Sequence, residues 1–71
     1  MLDLRGLKCP MPALLARRAL ARAAAGGIVE IVCDDPLAPI DIPHMCRAQG
    51  YDVLTVERSA AITRLVLRRP V

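Results

Sequence analysis

The sequence predicts an α+β fold, a two-layer α/β sandwich in the order βαβαββ, with two helices on one face of a mixed four-stranded sheet. Three observations predict it. Residues 13–25 hold no glycine, proline or β-branched residue and are rich in Ala, Leu and Arg, strong helix formers all. Runs rich in β-branched residues at 28–33, 53–58 and 62–68 have the look of strands. Turn-forming residues, Gly26-Gly27, Asp34-Asp35-Pro36 and Gly50, separate these stretches.

Taken in order, Leu2 to Leu7 reads as a short extended segment closed by a turn at Gly6. Pro10 suits a first helical turn, where its missing N–H has no intrahelical partner to lose. Cys9 then falls at or just before the helix N-cap. Gly26-Gly27 is the expected stop of that helix. Ile28 to Cys33 follows as a mostly buried strand, and strand–helix–strand in this span predicts a right-handed crossover with parallel strands. Leu37 to Gln49 is helical in outline but carries Pro39 and Pro43. Either the helix runs kinked from Leu37, or it starts near Asp41 with that residue as its cap; the sequence leaves both open. Gly50 terminates it. Val53–Arg58 and Ile62–Arg68, joined by Ser59-Ala60-Ala61, predict an antiparallel hairpin. The two-residue strand period puts Arg64 and Arg68 on one face and Leu65 and Leu67 on the other.

With 71 residues, the chain is expected to form one domain spanning 1–71, near the lower size limit for an independent core. At 55% hydrophobic residues it is globular, and with Tyr51 its one aromatic the core must be aliphatic. No apolar run is long enough to span a bilayer, and Met1 to Arg5 lacks a signal-peptide layout, so a cytoplasmic location without membrane association is expected. Cys9, Cys33 and Cys46 are odd in number and widely spaced, which suits neither a disulfide framework nor, with His44 the one histidine, a zinc site. No metal and no organic cofactor is expected. The net charge of +3 gathers at Arg17, Arg18 and Arg22 and at Arg64, Arg68 and Arg69. Such clusters suit an acidic protein partner or an RNA backbone, and an ordinary solvated surface explains them as well. The near absence of aromatics and of any RNA-binding motif argues against direct, specific nucleic-acid binding.

Cys9-Pro10-Met11-Pro12 is the candidate site. A cysteine before a helix start faces free N–H groups and the positive end of the macrodipole, both of which favour thiolate. Arg5 and Lys8 add charge of the same sign, and Pro10 and Pro12 stiffen the turn. Cys9 is therefore expected to titrate below a free thiol. The plainer alternative is a buried cysteine acting as a small hydrophobe beside two capping prolines. Asp34 and Asp35 stabilise a turn, or lie near Cys9 if the parallel strands end at one sheet edge. Asp41 reads as a helix cap. Arg18 and Arg22, four apart and adjacent on a helix surface, are candidates for docking a partner. Cys46 is a candidate second thiol near the site. Cys33 reads as structural, His44 as an exposed helix residue, and Met11 and Met45 as apolar surface or core filling.

Leu4-Arg5-Gly6-Leu7-Lys8-Cys9-Pro10-Met11-Pro12 resembles the N-terminal signature of the TusA/SirA-like family of small sulfur carriers, whose hallmark is Cys-Pro-x-Pro after an Arg-Gly turn. Asp34-Asp35-Pro36 followed by Asp41-Ile42-Pro43-His44-Met45-Cys46 is similar to a second block of that family. The resemblance covers essentially the whole chain. It implies a sulfurtransferase role, with sulfane sulfur held as a persulfide on Cys9. A cysteine desulfurase or rhodanese-like protein would supply the sulfur and a downstream acceptor protein would take it, for tRNA 2-thiouridine formation or another sulfur-trafficking route. A nucleic-acid-binding or regulatory module and a thiol-redox protein are the competing functions. The redox reading needs Cys33 or Cys46 as a resolving partner, since no Cys-x-x-Cys pair is present.

Overall fold

In the computed structural model, which describes residues 1–71, the chain forms β1 (Leu2–Asp3), α1 (Met11–Arg22), β2 (Ile28–Cys33), α2 (Ala38–Gln49), β3 (Asp52–Ser59) and β4 (Ile62–Arg68). This is the expected βαβαββ order. The sheet runs β1-β2-β4-β3, with β1 parallel to β2 and β4 antiparallel to both its neighbours. The C-terminal hairpin thus inserts β4, rather than β3, beside β2.

The strand period sets the layers. Along β4, Thr63, Leu65 and Leu67 are buried while Arg64 and Arg68 are exposed, as alternation requires. Ile31 pairs with Leu65 and Val29 with Leu67, so β2 and β4 present one apolar face. Each helix lays a stripe of residues four apart on it: Pro12, Ala16 and Leu20 from α1, and Ala38, Ile42 and Cys46 from α2. Leu4, Ala16, Leu20, Ile31, Cys33, Ala38, Ile42, Cys46, Leu65 and Leu67 form one buried cluster. Both helices bury into it and so share one face of the sheet. The cluster is wholly without aromatics, as the composition requires.

Both helix boundaries differ in part from expectation. α1 ends at Arg22, with Ala23 extended behind it (φ −71°, ψ 152°), short of the glycine pair. The reason lies far along the chain. The Arg69 guanidinium donates from Nη1 to the carbonyls of Ala21 and Ala23, both at 2.8 Å, and satisfies acceptors that the helix end leaves open. Gly26 N–H donates to Arg69 O at 2.7 Å and Arg69 N–H to Gly27 O at 2.9 Å, which draws the glycines into the run-up to β2.

α2 takes the earlier of its two possible starts. It begins at Ala38 with Leu37 as N-cap, and no side chain caps it. Pro39 costs nothing in the first turn, while Pro43 inside the helix leaves the Pro39 carbonyl without its usual donor. Asp41 is therefore not the cap; it sits within the first turn. Gly50 ends the helix in the left-handed conformation (φ 78°), and Tyr51 N–H donates to Cys46 O at 2.8 Å. The hairpin closes at Ala60-Ala61, with Ala60 at φ 54°, and β3 bulges between Val53 and Thr55. No helix is long and apolar enough to cross a membrane.

The Arg69 cap gives a test. Arg69→Ala should lower stability by about 1–2 kcal/mol, the scale of charged hydrogen bonds discounted for partial exposure. Urea unfolding would show a lower midpoint at unchanged slope.

Candidate functional site at the Cys9 turn

The parallel pairing of β1 and β2 continues one residue past β1. Leu4, buried, donates its N–H to Val32 O at 2.7 Å. There the chain turns back. Arg5 binds the Asp3 carboxylate through its backbone N–H (3.1 Å), Nε (3.0 Å) and Nη2 (2.8 Å). The Arg5 hydrogen bonds hold the Asp3 carboxyl down at about 2. Gly6 takes φ +84° with open space where a Cβ would stand, so backbone conformation alone selects glycine there. Its N–H donates to Asp34 Oδ1 at 2.9 Å. Asp34 thereby ties the Arg5-Gly6 turn to the end of β2, at the common sheet edge that parallel strands predict.

Cys9 lies on this turn and is exposed, as are Lys8 and Pro10; Pro12 is buried. The Cys9–Pro10 peptide bond is cis, and Pro10 is the N-cap of α1, so Cys9 stands just before the cap. Its thiol donates to Asp41 Oδ2 across the surface at 3.0 Å. That hydrogen bond, followed by desolvation and by the charges of Asp41 and Asp35, pushes the Cys9 pKa up. The expected lowering is overturned, and the helix start explains why. A helix N-terminus acts on an anion mainly through its unpaired N–H groups. Pro10 and Pro12 have none, and the Met11 N–H already donates to Lys8 O at 2.8 Å, which leaves the Ala13 N–H as the one open donor before Leu14 bonds Pro10 O. The Arg5 guanidinium is committed to Asp3. A carboxylate in direct contact, which holds the proton on sulfur, then decides the outcome.

The remaining candidates separate. Asp35 is buried beneath this edge; its backbone carbonyl accepts from Ala38 N–H at 3.1 Å, and its Oδ2 has no hydrogen-bond partner. With Asp34, Pro36, Pro39, Arg58, Ala60, Ala61 and Thr63 it lines a cleft of about 230 Å³. Cys46 is fully buried in the core, and burial pushes its thiol pKa up, so as a second thiol it presents no sulfur at the surface. Cys33 is equally buried, with its Sγ 3.7 Å from Thr63 O. Arg18 and Arg22 flank another cleft, of about 250 Å³, over Leu2, Leu15 and Ala19. At roughly 1.5 Å per residue they stand a turn or more along α1 from its start and are not brought to Cys9. His44 is exposed, and Met45 packs against the core. Met11 and Leu14 at the start of α1, and Leu37 and Ile40 at the start of α2, are exposed apolar side chains. No three His, Cys, Asp or Glu side chains gather as metal ligands would.

Asp41 is the residue that sequence reasoning missed. As a helix cap it would have bonded its own backbone, and nothing local in the sequence says that it faces Cys9. The available signal was positional: α2 starts from the same sheet edge on which the Cys9 turn lies.

Comparison with known proteins agrees with this layout. Residues 1–69 match the model of a family described as sulfurtransferase TusA. Two proteins of Neisseria meningitidis, from serogroups A and B and by name candidate sulfur carrier proteins, are each 36% identical over 67 residues, covering 94% of this chain and 90% of theirs. The crystal structure of a SirA-like protein from Desulfitobacterium hafniense superposes with a TM-score of 0.82 at 25% identity, covering 99% of this chain and 96% of that one.

Two outcomes test the turn. Asp34→Ala should expose the Gly6 amide, raising its hydrogen-exchange rate several-fold and costing about 0.5–1 kcal/mol in stability. Asp3 should titrate by NMR with a midpoint of about 2 and return to the ordinary carboxylate range in Arg5→Ala. Because the folded value is depressed, the contribution of this pair is full above the ordinary carboxylate range and is lost as pH falls through about 2.

Proposed function

Since this chain belongs to the TusA sulfurtransferase family, we propose that it is a sulfur carrier that takes sulfane sulfur as a persulfide on Cys9 and passes it to an acceptor protein. The observation that carries this reading is the exposure of Cys9 on the strand-to-helix turn while Cys33 and Cys46 lie fully buried. A carrier must be loaded by one protein and emptied by another. Its sulfur therefore belongs on a surface that both can reach rather than in a pocket. The same burial weighs against a thiol-redox relay, since neither Cys33 nor Cys46 is accessible as a resolving thiol.

In loading, the Cys9 sulfur attacks the outer sulfur of the donor's persulfide. The new S–S bond forms as the donor's S–S bond breaks, and the donor leaves as a thiol that regains the proton Cys9 gave up. No net oxidation occurs. Discharge repeats the exchange with the acceptor's cysteine as nucleophile. Partners of this kind are a cysteine desulfurase or rhodanese-like donor and an acceptor in tRNA 2-thiouridine formation or another sulfur-trafficking route. Such chemistry suits the cytoplasm, where thiols stay reduced. Exposed Met11, Leu14, Leu37 and Ile40 around the helix starts supply apolar contact for either partner.

Incubation with a cysteine desulfurase and cysteine, or with a rhodanese and thiosulfate, should add one sulfur atom by intact-mass spectrometry. The gain should be removed by reductant and absent in Cys9→Ser. Wild type that gains nothing from either donor, or Cys9→Ser that still gains it, would defeat the proposal.

A further inference from the structure

Granting that Cys9 carries the persulfide, we infer that Asp41 is a load-dependent latch: its carboxylate holds the empty thiol of Cys9 at the start of α2 and releases it once the outer sulfur is attached. The hydrogen bond requires a proton on Sγ, and Cys9 Sγ donates to Asp41 Oδ2 at 3.0 Å. Loading removes that donor. The inner sulfur of a persulfide bears no hydrogen, and the outer sulfur is a stronger acid than a thiol because the adjacent sulfur spreads its charge. At neutral pH the loaded group is an anion facing a carboxylate. Two like charges in contact repel, and Cys9 lies exposed with open solvent beside it. The outer sulfur therefore turns away from Asp41, toward whatever protein docks.

The latch gives the two states opposite character. The empty carrier keeps its thiol protonated, as the raised pKa agrees, and so is slow toward adventitious oxidants and electrophiles. The loaded carrier presents an outward sulfur that an acceptor's cysteine can reach. The contact also joins the turn before α1 to the first turn of α2 in the empty state alone. A donor that must bind the empty carrier and an acceptor that must bind the loaded one thus meet different surfaces. Loading stays balanced: as Cys9 attacks, its proton passes to the Asp41 carboxylate and from there, through solvent, to the departing donor thiolate.

Other charged groups bear on Cys9. Asp35, in the turn before α2, acts in the same direction as Asp41. On the loop itself Lys8 is exposed and Arg5 is bound to Asp3. His44, three positions after Asp41 on α2, is exposed.

The test compares wild type, Asp41→Asn and Asp41→Ser, each empty and loaded, by iodoacetamide alkylation against pH. The second variant removes the carboxylate by a different side chain should the first fail to fold. Intact mass after loading comes first: if wild type takes no sulfur on Cys9, the carrier reading falls before the latch is tried. Given loading, the alkylation midpoint of both empty variants should move to lower pH. A tenfold gain in thiolate would show as about a threefold gain in rate near pH 7.5, because nucleophilicity falls as the pKa falls. The loaded forms of all three should react at equal rates. Coincident profiles for empty wild type and variants would overturn the latch, and so would a loaded wild type that reacts more slowly than loaded Asp41→Asn.

Discussion

The site depends on the parallel pairing of β1 with β2. Two register pairs, Leu2 with Ile31 and Asp3 with Val32, and the added bond from Leu4 to Val32 fix where the N-terminal segment ends. Because the strands run in the same direction, their C-terminal ends reach one edge. The turn before α1 and the turn before α2 both leave from that edge. Asp34 can then bond Gly6, and Asp41 can meet Cys9, across separations of 28 and 32 residues. An antiparallel β1 would send the cysteine to the far end of the sheet and leave these carboxylates without it.

Much of this was legible in the sequence because it follows from local chemistry. The Ala-Leu-Arg composition of α1, the β-branched runs of β2 and β4, Gly50 as a left-handed terminator and the alternation of Arg64, Leu65, Leu67 and Arg68 are each decided within a few residues. The common sheet edge was legible too, as a rule about parallel strands. What the sequence hid is long-range. Arg69 ends α1 from 46 and 48 residues away, and no local signal marks it against Gly26-Gly27. The early start of α2 rests on packing: Ala38 is buried against the core, which outweighs the absence of a side-chain cap. Likewise Cys46, which shares a family-like block with Asp41, points inward because Ala38, Ile42 and Cys46 form one buried stripe.

The electrostatics of Cys9 show how a general rule can be reversed by its own context. Cysteine before a helix start is activated where the first-turn amides are free. Here the same prolines that stiffen the turn remove two of those amides, Lys8 O engages the Met11 N–H, and the charge in contact with the thiol is negative. The protein thereby separates accessibility from reactivity. Cys9 is open to solvent, yet its contact with Asp41 favours the protonated thiol over the thiolate.

The two outer strands of the sheet carry a consequence for how other chains can attach. β1 is only two residues long, and β3 is broken by the bulge between Val53 and Thr55. Short strands and bulges both interrupt the row of free backbone groups that an incoming strand would need. Extension of the sheet by a neighbour is thus discouraged at β1 by brevity and at the start of β3 by misregister. Association through side chains at the ends of the helices is left open, while the sheet's own edges are poor seeds for a permanent, self-propagating ladder.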